Sequence, residues 1–214
     1  MFNSYYHKHF YKVSENYVVS MISKIGCSTV ALQTKCFNQK LNIEDFKEAE
    51  YKHITKLYKD SIFIEILKYK IDYRNVYKYP GQRVVALFRD PIERYMSIYS
   101  TDLPIHPNGN DFNDNLLKVK EHFDNKTELN YHYCPQYMFY DFDKIDIFVE
   151  LNDYSKFCQE HNIPWIMVNK NGDPEYKKLV PTDEQKQIIK DIYNEDYILL
   201  YKIRNSNKLY IPKQ

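Results

Sequence analysis

Apolar positions in this chain gather into short unbroken runs that alternate with stretches of helical spacing. Two runs, 17–22 (Tyr-Val-Val-Ser-Met-Ile) and 83–88 (Arg-Val-Val-Ala-Leu-Phe), have the length and β-branched content of buried strands. A third strand is expected at 145–151 and a short one at 165–168. Helical spacing predicts helices at 28–38, at 43–58 with Phe46, Ala49, His53, Ile54 and Leu57 drifting along one face, and at 112–123 and 153–161. Another should start at Pro91 and end near 101, and a last one should run from a Thr182 or Asp183 cap to about 193. Segment 61–71 is rich in apolar residues and ambiguous between helix and strand, with helix favoured; Pro80-Gly81 marks a turn, and 102–111 a loop with Pro104, Pro107 and Gly109. Residues 1–16 lack periodicity and are expected to be a surface segment leading into the first strand. Strands alternating with helices predict a single domain over 1–214, a three-layer α/β fold with a mostly parallel central sheet flanked by helices.

The two leading strands each empty into a turn suited to phosphate. In Ser23-Lys24-Ile25-Gly26-Cys27-Ser28-Thr29 the lone Gly26 permits a tight bend. The amides of Cys27, Ser28 and Thr29 can then face an anion at the positive end of the following helix. Ser28 and Thr29 add hydroxyls, and Lys24 adds an ammonium. An ATP-Mg loop has the order G-x-x-x-x-G-K-[ST]; here the lysine precedes a single glycine, so that chemistry fits poorly. The second turn is Arg89-Asp90-Pro91-Ile92-Glu93-Arg94. Asp90 suits the N-cap, Pro91 the first helical position, and Glu93 the third position of a capping box. Arg89 and Ser97 are read as a guanidinium and a hydroxyl for a second phosphate, the alternative being that Arg89 and Arg94 merely pair with Asp90 and Glu93, the reading favoured for Arg94 and Glu93.

These residues resemble a known family. Lys24-Ile25-Gly26-Cys27-Ser28 is similar to the 5′-phosphosulfate loop of the membrane-bound, Golgi-type (family 2) carbohydrate sulfotransferases. Arg89-Asp90-Pro91-x-x-Arg94-x-x-Ser97-x-Tyr99 is similar to their 3′-phosphate motif. Weaker echoes follow in His132-x-x-Pro135-Gln136, the strand 145–151 and a late helix ending near Asp196-Tyr197, so the resemblance spans 17 to about 201. It implies a P-loop-like sheet and the donor 3′-phosphoadenosine 5′-phosphosulfate, with Lys24, Gly26, Cys27, Ser28 and Thr29 around the 5′-phosphate and sulfate and Arg89 and Ser97 on the 3′-phosphate. Ser23 stands where the family usually has proline. Lys170, beside the late Asn-Gly turn, lies where relatives close a loop over the donor; Lys177 and Lys178 flank the same region and are read as solvated.

Sulfuryl transfer needs the acceptor oxygen, sulfur and bridging oxygen in line, charge neutralised on the leaving phosphate, and a base for the acceptor proton. No metal is required. Lys24 is the candidate for the leaving oxygen. Related sulfotransferases place a His or Glu base between the two phosphate motifs, an interval in which His53 is the sole histidine. Glu44, Glu48, Glu50 and Glu65 are its rivals, Glu50 first among them. His106 and His132 fall outside that interval and are left to acceptor contact or loop support.

Composition adds limits. The formal net charge of +1 gives no general pull toward nucleic acid or an anionic membrane. It also disfavours a long sulfated glycosaminoglycan as acceptor, which leaves a smaller glycan, a lipid-linked sugar or a metabolite. The four cysteines show no CxxC or metal spacing and are read as free thiols of a reducing compartment. No stretch is long and apolar enough for a membrane span, and no leader is seen, so a cytoplasmic enzyme is expected, its oligomeric state open. Two other readings stand beside the sulfotransferase: a P-loop nucleotide or metabolite kinase, and a non-catalytic nucleotide-binding module.

Overall fold

The computed structural model describes residues 9–20, 22, 25, 27–40, 70–72, 81–102, 111–127, 131–165 and 179–213. Within them the chain clusters into two compact units, one built on a sheet and one on helices.

The sheet unit contains β1 (His9–Lys12), β2 (Tyr17–Ser20), β3 (Lys70–Asp72), β4 (Arg83–Phe88) and β5 (Ile147–Glu150), in the order β3-β1-β2-β4-β5. β2 pairs parallel with β4 and β4 with β5, whereas β1 is antiparallel to both β2 and β3. Four of the five strands therefore point one way and β1 alone is reversed, giving a mixed, mostly parallel sheet. Helices α1 (Cys27–Gln39) and α4 (Tyr154–Glu160) pack on it, against β1 and β5 respectively. β2 and the last five residues of β4 are buried throughout, as a strand covered on both faces requires. Asp146 anchors the start of β4, its carboxylate accepting from the Val84 amide at 2.7 Å while its own amide donates to the Val84 carbonyl at 2.9 Å. Gly81, at φ +89°, makes the turn that delivers the chain into β4. Beyond β5 the terminal segment straps the sheet edge: Phe148 N–H donates to Lys208 O and Tyr210 N–H to Phe148 O, both at 2.8 Å.

The helical unit contains α2 (Pro91–Asp102), α3 (Phe112–Asp124), α5 (Asp183–Ile192) and α6 (Asn194–Arg204), with short 3-10 turns at Tyr131–Tyr133 and Gln136–Phe139. Its core is unusually phenolic. Tyr95, Tyr99, Tyr133 and Tyr193 pack with Phe112, Leu116, Val119, Ile98 and Ile189. The hydroxyls are not stranded: Tyr95 donates to Asn115 Oδ1 at 2.7 Å and Tyr193 to the Tyr133 carbonyl at 2.8 Å. α5 starts on the expected Thr182 cap, in a complete capping box with Gln185.

The expected strand at 83–88 and the helices near 28–38, 91–101, 112–123 and 153–161 are present, each within a residue or two. The strand at 145–151 is shorter, Ile147–Glu150. Three expectations change. His9–Lys12 is a sheet strand with Phe10 and Tyr11 buried, not a surface segment, because antiparallel neighbours on both sides supply its ladder. The described end of 61–71 is strand, not helix, with Ile71 paired to Phe10. The helix expected from the Thr182 cap to about 193 is α5, ending at Ile192, whereas the late helix expected to end near Asp196-Tyr197 is α6, which runs on to Arg204. The expected helix at 43–58, the loop at 103–110, the strand beyond Trp165 and the turn at 169–173 lie outside the described residues.

Candidate functional site

The first turn follows β2, whose last residue, Ser20, is buried and accepts from the Leu87 N–H of β4 at 3.1 Å. The ends of these parallel neighbours are thereby tied together. Past β2 the Ile25 N–H donates to the Ile22 carbonyl at 3.1 Å, both side chains are buried, and α1 begins at Cys27. The first turn of α1 carries no acidic residue, so no carboxylate of its own competes for the positive end of the helix. Thr29 is buried. Lys24 and Gly26 lie outside the described residues, and Cys27 and Ser28 are placed as helix backbone only.

One turn further on, Gln33 fixes α1 within the sheet unit. Its Nε2 donates to the Pro164 carbonyl at 2.7 Å and faces Cys158 Sγ at 3.4 Å, while its Oε1 accepts from Tyr154 OH at 2.8 Å. Gln33, Tyr154 and Cys158 are all buried, and burial pushes the Cys158 thiol up to about 12, which keeps it protonated and unreactive. Cys36, Cys134 and Cys158 are free thiols, all buried.

The second turn lies in the helical unit. Asp90 caps α2 through Oδ1, which accepts from Ile92 N at 2.8 Å and Glu93 N at 3.2 Å. Glu93 does something other than the expected capping-box duty: its carboxylate pairs with Arg89 Nε at 3.3 Å. Arg89 and Ser97 are each half-buried, separated by roughly two helical turns of sequence. Arg94 is not paired with a local acid as expected. It is fully buried, and its two terminal nitrogens donate to the carbonyls of Cys134 and His132, both at 2.8 Å. A planar fork can satisfy two carbonyls of one bend at once, and this outweighs an exposed pair with Glu93.

The same bend is gripped from its other side. Asp196 of α6, also buried, accepts from Gln136 N at 2.9 Å and Tyr137 N at 2.8 Å. Burial pushes the Asp196 carboxyl up, opposed by those two amides and by the Arg94 charge. Gln136, itself buried, reaches back to Arg89: its Oε1 accepts the Arg89 N–H at 3.0 Å and its Nε2 donates to the Arg89 carbonyl at 2.8 Å. Arg89 thus has its peptide clamped by Gln136 and its guanidinium held by Glu93. The arrangement offers a fixed cation at the end of a buried strand, with the Ser97 hydroxyl further along the helix.

Comparison with family models, curated proteins and solved structures finds no match to this chain. Fold and site therefore rest on the residues themselves.

Of the residues singled out from sequence, Thr29, Arg89, Asp90, Glu93, Arg94, Ser97 and His132 have described side chains; His53, Lys170, His106, Glu44, Glu48, Glu50 and Glu65 lie outside the described residues, as do Lys24 and Gly26. In the sequence Gln136 and Asp196 figure only in weak echoes of a motif, and Gln33 in none. A polar residue at an apolar position of a helix or turn was the available signal. No group of three or more His, Cys, Asp or Glu suited to a metal occurs among the described residues. No described helix is long and apolar enough to cross a membrane.

Proposed function

We propose that this chain is a sulfotransferase that moves a sulfuryl group from 3′-phosphoadenosine 5′-phosphosulfate to a hydroxyl of a carbohydrate or related small acceptor. The observation that carries the reading is the Arg89 turn: a buried strand ending at a guanidinium whose peptide is clamped on both its N–H and its C=O. Asp90 already occupies the N-terminus of α2, so in this reading the guanidinium is the group that holds an anion here. Supporting it, β2 and β4 are parallel neighbours, and the turn after β2 opens a helix free of acid in its first turn. In this reading the fold is of the three-layer, P-loop-like kind.

The acceptor oxygen attacks sulfur in line as the bond from sulfur to the bridging phosphate oxygen breaks, and adenosine 3′,5′-bisphosphate leaves. Lys24 and the amides after Gly26 neutralise the leaving phosphate, Arg89 and Ser97 take the 3′-phosphate, and Lys170 closes over the donor. His53 accepts the acceptor proton; His53→Ala should lower turnover roughly 10²–10⁴-fold while leaving bisphosphate affinity nearly unchanged. No resident metal enters these steps, and the reading includes no nucleic-acid partner and no membrane span. The three free buried cysteines favour a reducing, cytoplasmic setting.

Calorimetric titration with adenosine 3′,5′-bisphosphate in the presence of chelator, set against ATP with magnesium, tests the reading. Binding of the bisphosphate without metal, with a rise in Tm, is expected. Binding of ATP-Mg alone would assign the chain to the kinase alternative.

A further inference from the structure

Gln136 and Asp196 have no role in the chemistry just described, yet both are buried polar residues spent on a single turn. We infer that they are positioning residues for anion recognition: the Gln136 side-chain amide acts as a one-residue surrogate strand on the Arg89 peptide, and Asp196 dictates which way that amide faces. The inference rests on reading Arg89 as an anion-binding residue.

β4 ends at Phe88, so the Arg89 peptide lies just past the regular ladder. A primary amide carries one acceptor and one donor group in the same relation as a backbone peptide, and Gln136 uses both, on Arg89 N–H and Arg89 O. The peptide leading into Arg89 and the one leaving it are fixed together, which sets the direction in which its side chain departs. The amide could in principle rotate by half a turn and exchange its oxygen and nitrogen. Asp196 Oδ2 stands 3.4 Å from Gln136 Nε2, and all three of its recorded partners are donors, Gln136 N, Tyr137 N and this Nε2. A rotated Gln136 would put its oxygen against this carboxylate and against the Arg89 carbonyl, and its NH2 against the Arg89 N–H. Asp196 therefore holds the productive orientation. Arg94 supports the bend from the opposite side through the His132 and Cys134 carbonyls, so Gln136 starts from a fixed backbone.

A purely structural part for Gln136 and a positioning part for Arg89 differ in what they do to ligand discrimination. The readout is the ratio of affinities for adenosine 3′,5′-bisphosphate and adenosine 5′-phosphate, which lacks the 3′-phosphate, measured by titration on the full chain. Gln136→Met keeps the volume and removes both bonds; it should collapse the ratio on the order of 10-fold while leaving 5′-phosphate affinity unchanged. Asp196→Asn should act in the same direction and more weakly. A Gln136→Met protein with lowered Tm and an undiminished ratio overturns the positioning role and leaves the proposed function standing. A wild-type protein with no preference for the bisphosphate overturns both. Should Gln136→Met not fold, hydrogen exchange on the wild type decides: the clamp predicts an Arg89 amide protected as strongly as that of Leu87 in β4, and rapid exchange at Arg89 overturns it.

Discussion

Helices α1 and α2 each follow a buried strand, and their starts are built by opposite means. α1 opens with no acidic residue, and the side chains that seat it are neutral: Gln33, Tyr154 and a protonated Cys158. α2 opens under its own Asp90 cap with Glu93 behind it, and the bend beside it is held by two buried charges, Arg94 and Asp196. The first start carries no acid of its own at the positive end of its helix. The second has used its dipole on a carboxylate, so any anion there must be held by side chains, chiefly Arg89. Neutral hydrogen bonds suffice to seat a helix, whereas fixing a cationic side chain next to two acids takes a stiffer frame.

The largest effect should follow from removing a charge of that frame. Arg94→Met leaves the His132 and Cys134 carbonyls without their donor and Asp196 without its nearby cation, at a cost of about 3–5 kcal/mol in denaturant unfolding. In the neutral frame, Tyr154→Phe strips Gln33 Oε1 of its donor and should cost about 1–3 kcal/mol. A reversed order would break the comparison. Asp90→Asn keeps an acceptor for the cap and removes its charge. It should tighten adenosine 3′,5′-bisphosphate binding by roughly 0.3–1 kcal/mol with little change in Tm, measured by titration and calorimetry.

The smallest effect is a pH dependence in the sheet unit. Burial holds His161 below its ordinary value near 6.5, with Glu160 opposing and Arg83 and Lys213 reinforcing, and its Nδ1 lies 2.8 Å from Tyr17 OH. A folded-state value lowered for a histidine means that its contribution is complete above about pH 6.5 and is lost as pH falls through the folded value. Tm should therefore drop between pH 7 and 5.5, and His161→Gln should flatten that drop.

What could be read from sequence follows from range. β4 and the start of α2 were legible because an unbroken apolar run and Asp90-Pro91 are local signals with local causes. β1 was not, since His9-Phe10-Tyr11-Lys12 becomes a strand through neighbours on both sides. Local spacing pairs Arg94 with nearby acids, whereas its hydrogen-bond partners are carbonyls about forty positions on, and Asp196 meets Gln136 across a separation of 60 residues. The candidate site was legible as two turns, and the clamp that rigidifies one of them was not. Buried polar networks are specified by packing, which local spacing does not encode.

In the proposed reading Arg89 is the side chain that holds the second phosphate. Titrating adenosine 3′,5′-bisphosphate and adenosine 5′-phosphate into wild type and Arg89→Ala measures that directly. A loss of roughly 1.5–3 kcal/mol for the bisphosphate with none for the monophosphate is the expected result. Equal losses for both nucleotides would contradict it, placing Arg89 in the fold or on a different phosphate.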